Sequence, residues 1–257
     1  MTEQKVFVKN LEINYKIFEE RQSVANKTLL ILHGWESNSD RWQTVGQSLS
    51  ENGFKVIIPD MPGFGKSETP RTPWDFKNYV SFVEEFAKNL NIENFYLLGH
   101  SFGGAIAVKV AVNIPQKLNK LFLVACSCIR KKTTLKKVLA KISKFVKFFS
   151  FLPYYHLARK AFYKFIIKKS DYVYTKGIMK ETYLKAISED LSCYLSFIKV
   201  PTIIIWGDKD ESTPVEYAYF INKKIGNSKL IIIPGAGHNL NQKEPEILTR
   251  EVLENMQ

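Results

Sequence analysis

The residues with the clearest chemical capacity are Ser101, Asp208, Asp210 and His238. Ser101 lies in Gly99-His100-Ser101-Phe102-Gly103, between the β-prone run Phe95 to Leu98 and apolar residues at helical spacing, Ala105, Ile106, Val108 and Ala111. A G-x-S-x-G pattern at a strand-to-helix junction predicts a tight turn that lifts the serine hydroxyl above a sheet edge. Helix-start N–H groups there favour developing negative charge. A serine hydroxyl is a poor nucleophile near neutral pH, so acyl transfer on Ser101 needs an imidazole to take its proton and a carboxylate to hold that imidazole. The competing reading is a small residue in a structural glycine turn, and five residues alone do not separate the two.

The elements that must position these groups alternate along the chain. Continuous apolar runs at Thr28–Leu32, Lys55–Ile58, Phe95–Leu98, Leu121–Ala125, Thr202–Trp206 and Leu230–Ile233 suit strands buried on both faces. Val6–Val8 and Leu11–Phe18 predict an opening pair of strands. Helical patterns fall at 40–51, 76–90, 103–113, 215–224 and 245–256. The alternation implies an α/β chain with a mainly parallel sheet flanked by helices, whose sites form beyond the carboxyl ends of the strands. The polar residues fit that rule. His33-Gly34-Trp35 follows one run, Pro59-Asp60 another, Gly207-Asp208-Lys209-Asp210 a third, and Gly235-Ala236-Gly237-His238 the last. Ser101, an acid near 210 and His238 thus come from three connections on one side of the sheet.

With 257 residues, 45% of them hydrophobic, the chain can bury one sizeable core and is too short for two full domains. Met1–Asn10 lacks a basic region followed by an apolar core, and no uncharged apolar stretch reaches the roughly 18 residues of a membrane span. A soluble, cytoplasmic protein is expected. Cys126, Cys128 and Cys193 are odd in number and sparse, which predicts reduced thiols; with four scattered histidines they make no metal site, so no metal or cofactor is expected.

Five stretches, HGW at 33–35, DMPGFGKS at 60–67, GHSFGG at 99–104, WGDKDESTP at 206–214 and GAGHNL at 235–240, together resemble the α/β-hydrolase fold superfamily, close in pattern to small lid-bearing serine carboxylesterases and carbon–carbon bond hydrolases. The resemblance covers 28–126 and 198–257. It implies a core of 1–126 and 198–257 and a helical lid, 127–197, inserted after the sixth core strand. It implies catalytic roles for Ser101, His238 and Asp210, with Asp208 shaping the turn. Backbone N–H groups of Trp35 and Phe102 are implied as the oxyanion hole. His33 is expected to brace the oxyanion loop, Asp60 to fix loop geometry, and His100 reads equally as tuning the turn or as packing. Relatives that open carbon–halogen bonds or epoxides carry an aspartate where this chain has Ser101.

The middle stretch carries the charge. From Arg130 to Lys169 there are thirteen basic residues and no acidic one, in a chain of net charge +12. Leu135, Val138, Leu139, Ile142, Phe145, Val146 and Phe149, then Leu157, Ala161, Phe162, Phe165 and Ile166, recur at helical steps on either side of Pro153 and predict two amphipathic lid helices. Their cationic backs read as a solvated face, as a surface for anionic membrane, or as a dock for an acidic carrier protein. No aromatic-basic platform points to nucleic acid. The expected activity is cleavage of a carboxylic ester with an apolar acyl or alcohol part. The alternatives are a carbon–carbon bond hydrolase of the ring-cleavage-product type and a hydrolase-fold binding protein with negligible turnover.

Overall fold

Within each apolar run, alternate residues serve opposite layers: Leu29 and Ile31 join one buried cluster and Leu30 and Leu32 the other. Ile203 and Ile205 divide from Ile204 and Trp206 in the same way. That period of two places a sheet between two helical layers, and each fully buried Leu or Ile contributes roughly 1.5–3 kcal/mol relative to an exposed one. The computed structural model describes residues 1–20, 27–130 and 176–256.

Among the described residues the strands are β1 (Thr2–Val8), β2 (Leu11–Phe18), β3 (Thr28–Leu32), β4 (Lys55–Pro59), β5 (Phe95–His100), β6 (Leu118–Val124), β7 (Thr202–Gly207) and β8 (Ser228–Ile233). They form one sheet in the order β1-β2-β4-β3-β5-β6-β7-β8, antiparallel at β1–β2 and β2–β4 and parallel elsewhere. This is the α/β-hydrolase arrangement expected above. The helices are α1 (Gln43–Glu51), α2 (Phe76–Asn89), α3 (Phe102–Asn113), α4 (Gly177–Ser188), α5 (Glu216–Lys224), α6 (Leu240–Lys243) and α7 (Pro245–Glu254). Helix α2 begins at a reciprocal cap, in which Asp75 accepts from the Asn78 N–H and Asn78 accepts from the Asp75 N–H.

Several boundaries differ from the sequence reading, β6 starting at Leu118 and β8 at Ser228, and two of the differences have a clear local cause. Strand β1 starts at Thr2 rather than Val6, because it is an edge strand whose first residues face solvent and carry no apolar signal. The helix expected over 40–51 opens instead as a 3-10 turn, Ser39–Trp42, capped by the Asn38 side chain, before α1 proper.

The two amphipathic helices expected at 135–149 and 157–166, with all of the basic run beyond Arg130, lie outside the described residues. The chain returns through α4, which buries Met179, Thr182 and Ala186. Thr182 Oγ1 accepts the Trp74 N–H at 3.0 Å and Lys185 donates to the Pro73 carbonyl at 2.8 Å, tying α4 to the segment before α2. Among the described residues no helix is long and apolar enough to cross a membrane.

Candidate active site

The turn after β5 holds Ser101 at φ 52°, ψ −114°, a positive φ that a side-chain-bearing residue adopts at a cost of about 1–3 kcal/mol. Surrounding bonds over-determine it. The Ser101 N–H donates to the Val124 carbonyl at 3.0 Å, and the Ser101 carbonyl accepts from Ala105 at 3.1 Å and Ser127 at 3.0 Å. Glycine at 103 is required by close approach: a Cβ there would stand 2.1 Å from the Leu32 carbonyl oxygen, so only a bare backbone lets α3 start against the end of β3.

Asp210 and His238 arrive from the loops after β7 and β8. The His238 Nε2 lies 3.0 Å from Ser101 Oγ, and its Nδ1 lies 2.7 Å from Asp210 Oδ2. A carboxylate only accepts, so Nδ1 carries the proton and Nε2 is left to accept from the serine hydroxyl. The Asp210 side chain is wholly buried and His238 is partly exposed. Oδ1 of Asp210 accepts the N–H groups of Ser212 and Thr213, each at 2.8 Å, and Oδ2 accepts the Thr213 hydroxyl at 2.7 Å. Burial by itself raises the carboxyl pKa, but the hydrogen bonds from His238 and Thr213 outweigh it and hold it below the ordinary value. Asp208 has different work. Its Oδ1 accepts the Gly235 N–H at 2.7 Å, tying the β7 and β8 loops together rather than facing the imidazole.

Trp35 follows β3 and Phe102 opens α3, where the first N–H groups of a helix lack intrahelical partners. Their rings meet edge to face at 5.0 Å; Trp35 also meets Phe64 at 4.8 Å and Tyr183 at 5.1 Å, forming an aromatic wall beside the serine. His33 braces this loop. Its Nε2 accepts the Met61 N–H at 2.9 Å, which leaves Nδ1 to donate to the Gly34 carbonyl at 2.7 Å. Burial pushes its imidazole down to about 4, so it stays neutral. Asp60 is consumed by its own loop: Oδ1 accepts from Ser39 at 2.7 Å, and Oδ2 from Lys66 at 2.9 Å and Asn14 at 3.0 Å.

Thr213 was not singled out from the sequence. Its signal is only its place three residues after Asp210, where a hydroxyl can fold back on the carboxylate. Cys126 and Cys128 are buried, Cys193 is exposed, and all three are free.

The sequence pattern of the α/β hydrolase fold family matches residues 27–149 and 141–245. A pimeloyl-[acyl-carrier protein] methyl ester esterase of Wigglesworthia glossinidia brevipalpis is 31% identical over 237 residues, covering 82% of this chain and 86% of its own. Lipase 1 of Psychrobacter immobilis is 28% identical over 241 residues, covering 86% of this chain and 74% of its own. The solved structure of an esterase from Exiguobacterium antarcticum superimposes with a TM-score of 0.76 at 24% identity, over 98% of each chain.

Proposed function

Because the chain belongs to the α/β-hydrolase fold family, with esterases and lipases among its relatives, we propose that it hydrolyses carboxylic esters through an acyl-enzyme on Ser101. The observation that carries this reading is the unbroken path from Ser101 Oγ through both nitrogens of His238 to Asp210. In the first step Ser101 Oγ attacks the ester carbonyl carbon while His238 Nε2 takes the hydroxyl proton, and Asp210 stabilises the imidazolium so formed. The carbonyl electron pair moves onto oxygen, and the N–H groups of Phe102 and Trp35 receive that oxyanion, each such donor supplying about 10²–10³ in rate. The tetrahedral species expels the alkoxide, which leaves as the alcohol with the proton from His238. Water then repeats the sequence on the acyl-enzyme and releases the acid.

The aromatic wall of Trp35, Phe64, Phe102 and Tyr183 supports an apolar acyl or alcohol part. The basic run from Arg130 to Lys169 supports an anionic partner for the substrate, an acidic carrier protein or an anionic lipid surface, held by charge. Hydrolysis of p-nitrophenyl esters of graded acyl length tests the activity: turnover by the parent and its loss in Ser101→Ala are expected. Turnover of a vinylogous diketone, with none of any ester, would replace the reading by carbon–carbon bond hydrolysis.

A further inference from the structure

His100 stands outside the path from Ser101 to Asp210, yet its imidazole bonds the loop that carries His238 and faces the loop of Gly34 and Trp35. Its Nε2–H donates to the main-chain carbonyl of His238 at 2.9 Å, and the two rings lie 5.0 Å apart, inclined by 46°. Its Nδ1 edge faces the oxyanion loop so closely that a Cβ on Gly34 would meet that nitrogen at 3.1 Å. Ser101 is its neighbour in the chain. Behind it the Trp42 ring closes the space, with centroids 5.8 Å apart.

The burial of His100 is nearly complete, and burial first, then the charge that His238 can carry, push its imidazole down to about 3. It therefore remains a neutral donor and does not compete with His238 for the serine proton. The loop that carries His238 is tied on its other side by the bond from Gly235 to Asp208. Without His100 that loop has one tie fewer at the very residue whose ring must reach Ser101, and misplacement of a catalytic group by about 1 Å can cost about 10²-fold in rate.

We propose that His100 is a positioning residue, whose Nε2–H holds the His238 carbonyl and so fixes the His238 ring within reach of the Ser101 hydroxyl. The activity readout of this proposal rests on the ester-hydrolase reading above. Packing and donation are separated by shape. His100→Phe keeps a flat ring against Gly34 and Trp42 and has no donor, whereas His100→Gln keeps an N–H of similar reach and has no ring. His100→Asn is a second variant without the donor, its amide ending near the former Nδ1.

For p-nitrophenyl ester hydrolysis, kcat of His100→Phe and His100→Asn is expected to fall by about 10–100-fold with KM within about twofold, and His100→Gln to stay within about threefold of the parent. Labelling of Ser101 by a fluorophosphonate is expected to slow in the same order. Unchanged kcat and labelling in His100→Phe and His100→Asn would overturn the proposal. So would a His100→Gln variant as slow as they are, since the ring and not the donor would then matter. A parent inert to both esters and fluorophosphonate would sink the ester-hydrolase reading instead. The proton resonance of His238 Nδ1–H then decides: a shift in the Phe and Asn variants but not in Gln supports positioning, and no shift in any of the three overturns it.

Discussion

The hydroxyl of Thr213 lies 2.7 Å from Oδ2 of Asp210, the same oxygen that His238 Nδ1 meets at 2.7 Å. One threonine therefore holds the acid in the rotamer that faces the base, and its oxygen also lies 3.3 Å from the Ala125 carbonyl at the end of β6. Thr213→Val keeps the shape and removes a hydrogen bond to a charged group, worth about 1.5–3 kcal/mol. We expect kcat/KM on p-nitrophenyl esters to fall about tenfold, and the urea midpoint to fall with it. Unchanged kinetics would mean that the two backbone N–H groups suffice to hold Asp210.

The two neighbouring aspartates are expected to separate by function. Asp210→Asn removes the carboxylate that fixes the His238 tautomer and should lower kcat by about 10³–10⁴-fold. Asp208→Asn keeps an oxygen for the Gly235 N–H and should leave kcat within about threefold. Steady-state rates on one ester decide the matter, and equal losses in both would contradict the assignment.

A close backbone approach sets the spacing of the acid and base loops. A Cβ on Gly207 would stand 2.2 Å from the Ala236 carbonyl oxygen, whereas one on Gly226 would meet nothing within 4 Å. Gly207→Ala is expected to cost at least about 2 kcal/mol, because backbone rather than a flexible side chain must move. Gly226→Ala should change stability by less than about 0.5 kcal/mol. Urea unfolding of the pair measures both.

Acid sensitivity follows from two buried imidazoles. An unfolded histidine takes up a proton near pH 6.5, but His33 and His100 resist until about 4 and about 3. Between those limits the unfolded chain binds more protons than the folded one, so stability falls as pH falls, by about 1.4 kcal/mol per pH unit for each histidine. Above pH 6.5 the two contribute nothing to the slope. Asp210, depressed in the fold, adds its own loss only at lower pH, as its carboxylate is protonated. Urea midpoints should hold level from pH 7.5 to about pH 6.5 and decline from there to pH 5, and the decline should be shallower in His33→Gln. A flat profile down to pH 5 would contradict the burial of neutral rings.

The sheet was legible because strands buried on both faces must be apolar along nearly their whole length, as Thr28–Leu32 and Thr202–Trp206 are after their first residue. Ser101 and His238 were legible because glycines mark the strained or crowded turns around them. The first half of β1 was not, since Thr2–Lys5 at a sheet edge needs no apolar face. Nor was the role of His100, whose partner is a main-chain carbonyl 138 residues away and leaves no trace in side-chain chemistry. Thr213 was missed for a related reason: a threonine in a turn looks the same whether or not its hydroxyl points at a carboxylate. The choice between Asp208 and Asp210 needed a family pattern, because spacing alone allowed either.

The most direct test of the account is covalent capture of the nucleophile. A fluorophosphonate probe followed by peptide mass mapping is expected to place a single adduct on Ser101, with labelling lost in Ser101→Ala and slowed at least about 10³-fold in His238→Ala. An adduct on another residue, or labelling of Ser101 at the parent's rate in His238→Ala, would contradict the proposal that His238 activates Ser101.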